Sequence, residues 1–212
     1  MQVADKFISI SAPSQGLFKD RGSRFIAYAW PVSSEEEVAP LLKSLESEHH
    51  AARHICYAYR IPKPLQAPDG SWRLESLWRA NDNGEPSGTA GRPILGQIDS
   101  AGLSGVLVAV VRYFGGVLLG VPGLINAYRT AAADALGSAV KTEKTLTERI
   151  CFRFPYQDQP EAEKLVKHPG VTVVSREFAQ DCLFTADITL GFSPDFKNLL
   201  SAKNWLTLKK NQ

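Results

Sequence analysis

Cysteine is scarce in this chain, and none of its spacings gives the thiols a chemical task. Cys56, Cys151 and Cys182 are odd in number and far apart, with no CxxC pair among the 212 residues. That argues against a disulfide framework or a thiolate metal site and reads each thiol as a small core residue in a reducing compartment. Long apolar runs are missing too, and residues 1–10 carry Asp5 and Lys6 where a leader peptide would be apolar. The expected location is therefore cytoplasmic, with no membrane partner. Net charge is only +2, so no global field draws the molecule onto a polyanion, and any such binding must come from a local patch. His49, His50 and His54 cluster, but the step from His49 to His54 crosses a helix-to-strand boundary and is not a zinc spacing. No metal is expected. Nucleophile elbow, Walker A loop, Rossmann fingerprint and zinc-protease motif are all lacking, so no cofactor is expected and no catalytic residue can be named.

What is present is concentrated in residues 82–93. Asn83-Gly84 is a turn dipeptide, and Pro86 fixes the backbone just beyond it. Ser87, Gly88 and Thr89 then precede the apolar residues Ile94, Leu95 and Ile98. The spacing predicts a helix after Thr89, ending near Gly102, with Thr89 as its N-cap and Pro93 tolerated in its first turn. Free N–H groups at such a start favour an anion, and Arg92 adds a fixed positive charge.

Taken in order, the chain predicts an α+β protein. Residues 7–10 read as a strand, 13–16 as a turn and 24–30 as a second strand. Ser34 and Glu37 form a possible capping box ahead of a helix carrying Val38, Leu41, Leu42 and Leu45; Pro40 would fall inside a helix that starts so early, so either the helix is kinked there or it begins near Val38. Residues 53–61 alternate as a strand, 62–70 with three prolines read as a loop ending in a Pro68-Asp69-Gly70 turn, and 72–78 as another strand. Val106 to Val111 is apolar throughout, as a strand buried on both faces should be. A glycine loop at 115–120 leads to a helix opened by Pro122 and running to about Ala139. Polar composition at 141–144 marks the domain boundary, giving domains 1–140 and 141–212. The second domain spaces out as βαββαβ, the split βαβ pattern, with Asp158 at one helix start and a solvated Lys209-Lys210 tail.

Two stretches carry candidate chemistry, and each has a structural alternative. Ser87, Gly88 and Thr89 amides with Arg92 would make a phosphate site, or else simply a well-capped helix start. Arg112, Tyr113, Gly115 and Gly116 follow a buried strand, where Arg112 could hold a phosphate and Tyr113 stack on a base. Alternatively Tyr113 and Phe114 are core and the glycines make a tight turn. His54 could face residues 82–93 if its strand lies beside them. Glu85 is a further candidate in the first stretch.

Residues 82–93, together with Arg112-Tyr113-Phe114-Gly115-Gly116, Leu119-Gly120 and Gly123-Leu124, resemble the IMPACT/YigZ family. Arg24-Phe25-Ile26-Ala27 and Cys56-Tyr57-Ala58-Tyr59-Arg60 match in order upstream, so the motifs cover most of residues 20–130. The resemblance implies an N-terminal domain similar to the ribosomal protein S5 domain 2-like fold and a ferredoxin-like C-terminal domain, both like elongation factor domains. It also implies a non-enzymatic role linked to regulation of translation, through RNA or ribosome binding. Pro122 and Asn126 depart from the family pattern, which has glycine and a basic residue there, and the second change removes one phosphate contact. Two other functions stay open. One is a hydrolase or phosphoryl-transfer enzyme with Glu85, Ser87, Thr89 and Arg92 lining its site, and the other is a protein-interaction module.

Overall fold

The computed structural model describes residues 5–68 and 72–209. The expected Asp69-Gly70 turn and Lys210 lie outside the described residues. In chain order the strands are β1 (Lys6–Ile10), β2 (Ser14–Asp20) and β3 (Ser23–Pro31); after a short 3-10 turn (Glu35–Glu37) comes helix α1 (Val38–Glu48). There follow β4 (His54–Gln66), β5 (Trp72–Asn81), α2 (Gly91–Ser100), β6 (Val106–Tyr113) and α3 (Gly120–Gly137). The remainder runs β7 (Lys141–Thr145), β8 (Thr147–Phe154), α4 (Gln159–Leu165), β9 (Val171–Phe178), β10 (Cys182–Thr189), α5 (Ser193–Ser201) and β11 (Thr207–Lys209). The molecule is a mixed α+β protein whose chain divides into two compact units. One comprises Phe7–Lys63 and Glu75–Lys144; the other comprises Met1–Lys6, Pro64–Leu74 and Thr145–Gln212.

A five-stranded sheet ordered β2-β3-β6-β4-β5 organises the first unit. Its centre is β6, antiparallel to both β3 and β4. Because side chains alternate across a strand, Val106, Val108 and Val110 join one core with Phe25, Ala27, Cys56 and Ala58. Ile94 and Ile98 of α2 and Leu124, Tyr128 and Ala131 of α3 complete that core. Leu107, Ala109 and Val111 enter the cores on the other face, with Val38 and Leu45 of α1. Two apolar faces explain why β6 reads as a continuous hydrophobic run.

The second unit has the element order β-α-β-β-α-β and a four-stranded antiparallel sheet ordered β11-β8-β10-β9. Phe152, Phe154 and Phe184 of that sheet pack with Ala162 of α4 and with Phe196 and Leu200 of α5.

Several expectations are corrected. Residues 13–16 do not turn but enter β2, where Gly16 lies so close to α3 that a Cβ there would sit 2.3 Å from the Ala135 nitrogen. The prolines at 62 and 64 do not end β4, which continues to Gln66. Ser34 makes no capping bond, and of the two readings left open by Pro40 the later start holds, with α1 beginning at Val38. Asp158 likewise makes no capping bond to α4. α3 ends at Gly137. All three cysteines are free thiols, with Cys56 and Cys182 buried in separate cores.

Candidate functional site

The loop between β5 and α2 is built around a single carboxylate. Asn83 and Gly84 both adopt positive φ, 42° and 82°, reversing the chain just after Asp82. The reversal lets Asp82 accept hydrogen bonds from the N–H groups of Gly88 (2.8 Å), Ala90 (3.0 Å) and Gly91 (2.8 Å). A side chain nine residues upstream thus supplies the N-terminal cap of α2. Thr89, expected to do so, is buried and donates its hydroxyl to the Pro86 carbonyl at 2.7 Å instead. Partial burial pushes the Asp82 carboxyl upward in pKa, but the bonds from Gly88, Gly91 and Ala90 and the Arg92 charge outweigh it. The net shift is downward.

Glu85 points inward from the same loop. Its carboxylate accepts from Arg112 Nη1 at 2.5 Å and from the Tyr128 hydroxyl at 2.8 Å, and the Glu85 and Arg112 side chains are 3% and 8% exposed. Cys56 closes the network, its Sγ 2.9 Å from the Asp82 carbonyl and 3.4 Å from the Tyr128 hydroxyl. Burial pushes the Cys56 thiol up to about 12, so it stays protonated, and burial raises Tyr128 as well. These groups hold the loop against β4, β6 and α3.

Arg112 is only partly satisfied by Glu85. Its guanidinium lies over the rings of both Phe25 and Phe114, 5.6 Å from each centroid, and its Nε is buried without a hydrogen-bond partner among the described residues. Outward from it opens a cavity of about 340 Å³ lined by Arg53, His54, Gly84, Arg112, Phe114 and Leu118. His54 opposes Arg112 across the β4–β6 pairing. Its Nδ1 bonds the Asn83 carbonyl at 2.8 Å, and since a carbonyl only accepts, Nδ1 carries the proton. Phe114 is 47% exposed and Leu118 81%, which gives the cavity an apolar lip beside its cationic wall.

The residues singled out in the sequence are thus distributed among different environments. Gly88 and Thr89 have polar groups engaged inside the loop and Glu85 is bound by Arg112 and Tyr128 beneath it, while Ser87 and Arg92 are exposed on it. Arg112 and Tyr113, neighbours in the sequence, point to opposite faces of the sheet. Tyr113 sits on the α1 side, where its hydroxyl bonds His49 Nδ1 at 2.8 Å and its ring carries the Arg24 guanidinium at 5.0 Å. Gly115 donates its N–H to Ser23 Oγ, and Gly116 is exposed with φ of 88°. No pattern in the sequence marks Arg53, Leu118 or the capping role of Asp82. The first two carry no motif, and the third spans too many residues for a standard capping pattern. No group of three or more His, Cys, Asp or Glu arranged for a metal ion occurs among the described residues. No helix of the described residues is long and apolar enough to cross a membrane.

Residues 21–136 match the family model described as the Impact N-terminal domain. The chain is 43% identical over 136 residues to an IMPACT family member of Thermus thermophilus, covering 64% of this chain and 67% of that protein. It is 37% identical over 168 residues to IMPACT family member YigZ of Escherichia coli (strain K12), covering 79% and 78%. A crystal structure of a hypothetical protein superposes with a TM-score of 0.65 at 27% identity, over 99% of both chains.

Proposed function

This chain belongs to the IMPACT family, and we propose that it is a non-enzymatic, cytoplasmic protein linked to regulation of translation that binds RNA or the ribosome. Within that proposal the first domain, 1–140, is S5 domain 2-like and the second, 141–212, ferredoxin-like. The 4-1-3-2 strand order of the second sheet supports the latter assignment.

The observation that carries the reading is the Arg112 cavity. Arg112, whose guanidinium keeps one buried N–H unpaired, the exposed Arg53 and the half-exposed Phe114 line one recess. Arginine gives phosphate oxygens fixed, paired donors, and an aromatic face gives a base a stacking surface. Ser87, Arg92, Gly115 and Gly116 are further contacts of the proposed site, with Glu85, Gly88 and Thr89 keeping its floor in shape. The buried Glu85 carboxylate is already neutralised by Arg112 and Tyr128, which disfavours it as a general base.

Binding of the purified protein to labelled RNA and to ribosomes across a salt series tests the proposal. The logarithm of affinity should fall linearly with log salt, as phosphate contacts require. No binding at low salt would overturn it. Binding of free nucleotides without RNA would turn the cavity into a small-ligand site instead.

A further inference from the structure

The same cavity holds features that select among phosphate ligands, and we propose that it takes a single unpaired ribonucleotide whose 2′-hydroxyl donates to His54. The inference rests on the RNA-binding reading above and narrows its substrate class.

Among the described residues, His54 is the only cavity-lining side chain with a hydrogen-bond acceptor to offer; the arginines are donors and Phe114 and Leu118 are apolar. Its tautomer is fixed from outside the cavity. Nδ1–H is held by the Asn83 carbonyl at 2.8 Å, so in the neutral ring Nε2 carries the lone pair and is the nitrogen left for a ligand. The Asn83-Gly84 turn that presents this carbonyl is itself pinned, since Asn83 Oδ1 accepts from the Ile55 N–H at 3.1 Å. An acceptor beside two arginines is ill-suited to a second phosphate oxygen and well suited to a hydroxyl donor. In nucleic acids the group of that kind next to a phosphate is the ribose 2′-hydroxyl, absent from DNA.

Size and shape exclude a duplex. A recess of about 340 Å³ is at the small end of ligand sites and accommodates one nucleotide. The stacking surface, Phe114, lies on its lip, where a paired base could not turn its face to the ring. Arg53 and the free donors of Arg112 hold the phosphate, Phe114 takes the base, and His54 reads the sugar.

The test is fluorescence anisotropy of the full chain with one short sequence made as single-stranded RNA, DNA and 2′-O-methyl RNA, and as duplex RNA. Single-stranded RNA should bind about fivefold tighter than DNA or the 2′-O-methyl form, the loss expected for one hydrogen bond. The methylated strand keeps an acceptor at the 2′ position but no donor, so it isolates the donor role without altering the protein. His54→Leu should abolish the roughly fivefold preference for RNA over DNA, and Phe114→Ala should weaken all single strands about tenfold. Equal binding of RNA, DNA and 2′-O-methyl RNA, or duplex as tight as single strand, would overturn the inference while leaving phosphate binding intact. Absence of binding to every oligonucleotide would overturn the RNA reading itself, and the inference with it.

Discussion

Two adjoining regions of the first unit treat their polar groups in opposite ways. In the loop at residues 82–91, the Gly88, Ala90 and Gly91 amides and the Glu85 carboxylate are bound within the protein. On β6, Arg112 keeps an unpaired buried Nε, and it lines a cavity together with Arg53 and His54. Sequence chemistry draws attention to the loop, because glycines and hydroxyls before a helix resemble an anion cradle. The protein has filled that cradle with its own carboxylate, Asp82. Glycine-rich composition marks where the backbone must bend, whereas unmet hydrogen-bonding capacity marks where a ligand can be held.

The contrast is broken most severely at the link between the regions. Glu85→Ala or Arg112→Ala should each cost about 3–5 kcal/mol, because each leaves the partner charge buried and uncompensated. Urea denaturation reads this as a lowered midpoint with little change in slope, and a loss below about 1 kcal/mol would show that solvent reaches the pair. Asp82→Ala should cost about 1–2 kcal/mol by removing the cap of α2. Its pH dependence follows from the lowered carboxyl pKa. The contribution of Asp82 is fully present above the ordinary carboxylate value and is lost as pH falls through the lowered native one, so parent and variant should converge in acid. A gap that persists unchanged in strong acid would mean that the charge of Asp82 does not matter. Arg53→Ala should have the smallest effect on stability, within about 0.5 kcal/mol for an exposed side chain. It should nonetheless reduce the slope of log affinity against log salt for single-stranded RNA by about 0.7, the value of one lost phosphate contact.

Much of this was legible beforehand, and what was not has physical reasons. The Asn83-Gly84 turn, the doubly buried β6 and the βαββαβ order follow from local chemistry and periodicity. β2 was hidden because Gly16 serves a close approach to α3, a tertiary requirement that reads locally as a turn. β4 was cut short because Pro62 and Pro64 read as breakers, yet the strand carries them to Gln66. Arg112 was found by its position after an apolar strand, and His54 by its possible place beside the turn. Arg53, Phe114 and Leu118 meet only because β4, β6 and the following loop converge, and no spacing encodes that convergence.

The most direct measurement is a two-dimensional NMR titration of the protein with a short single-stranded RNA, following backbone amides and arginine side-chain N–H groups together. The account predicts the largest shifts at Arg53, His54, Arg112 and Phe114, with the amides of Gly88, Ala90 and Gly91 nearly unmoved because Asp82 already holds them. Dominant shifts at those three amides, with Arg53 and His54 unchanged, would contradict it and return the binding site to the loop.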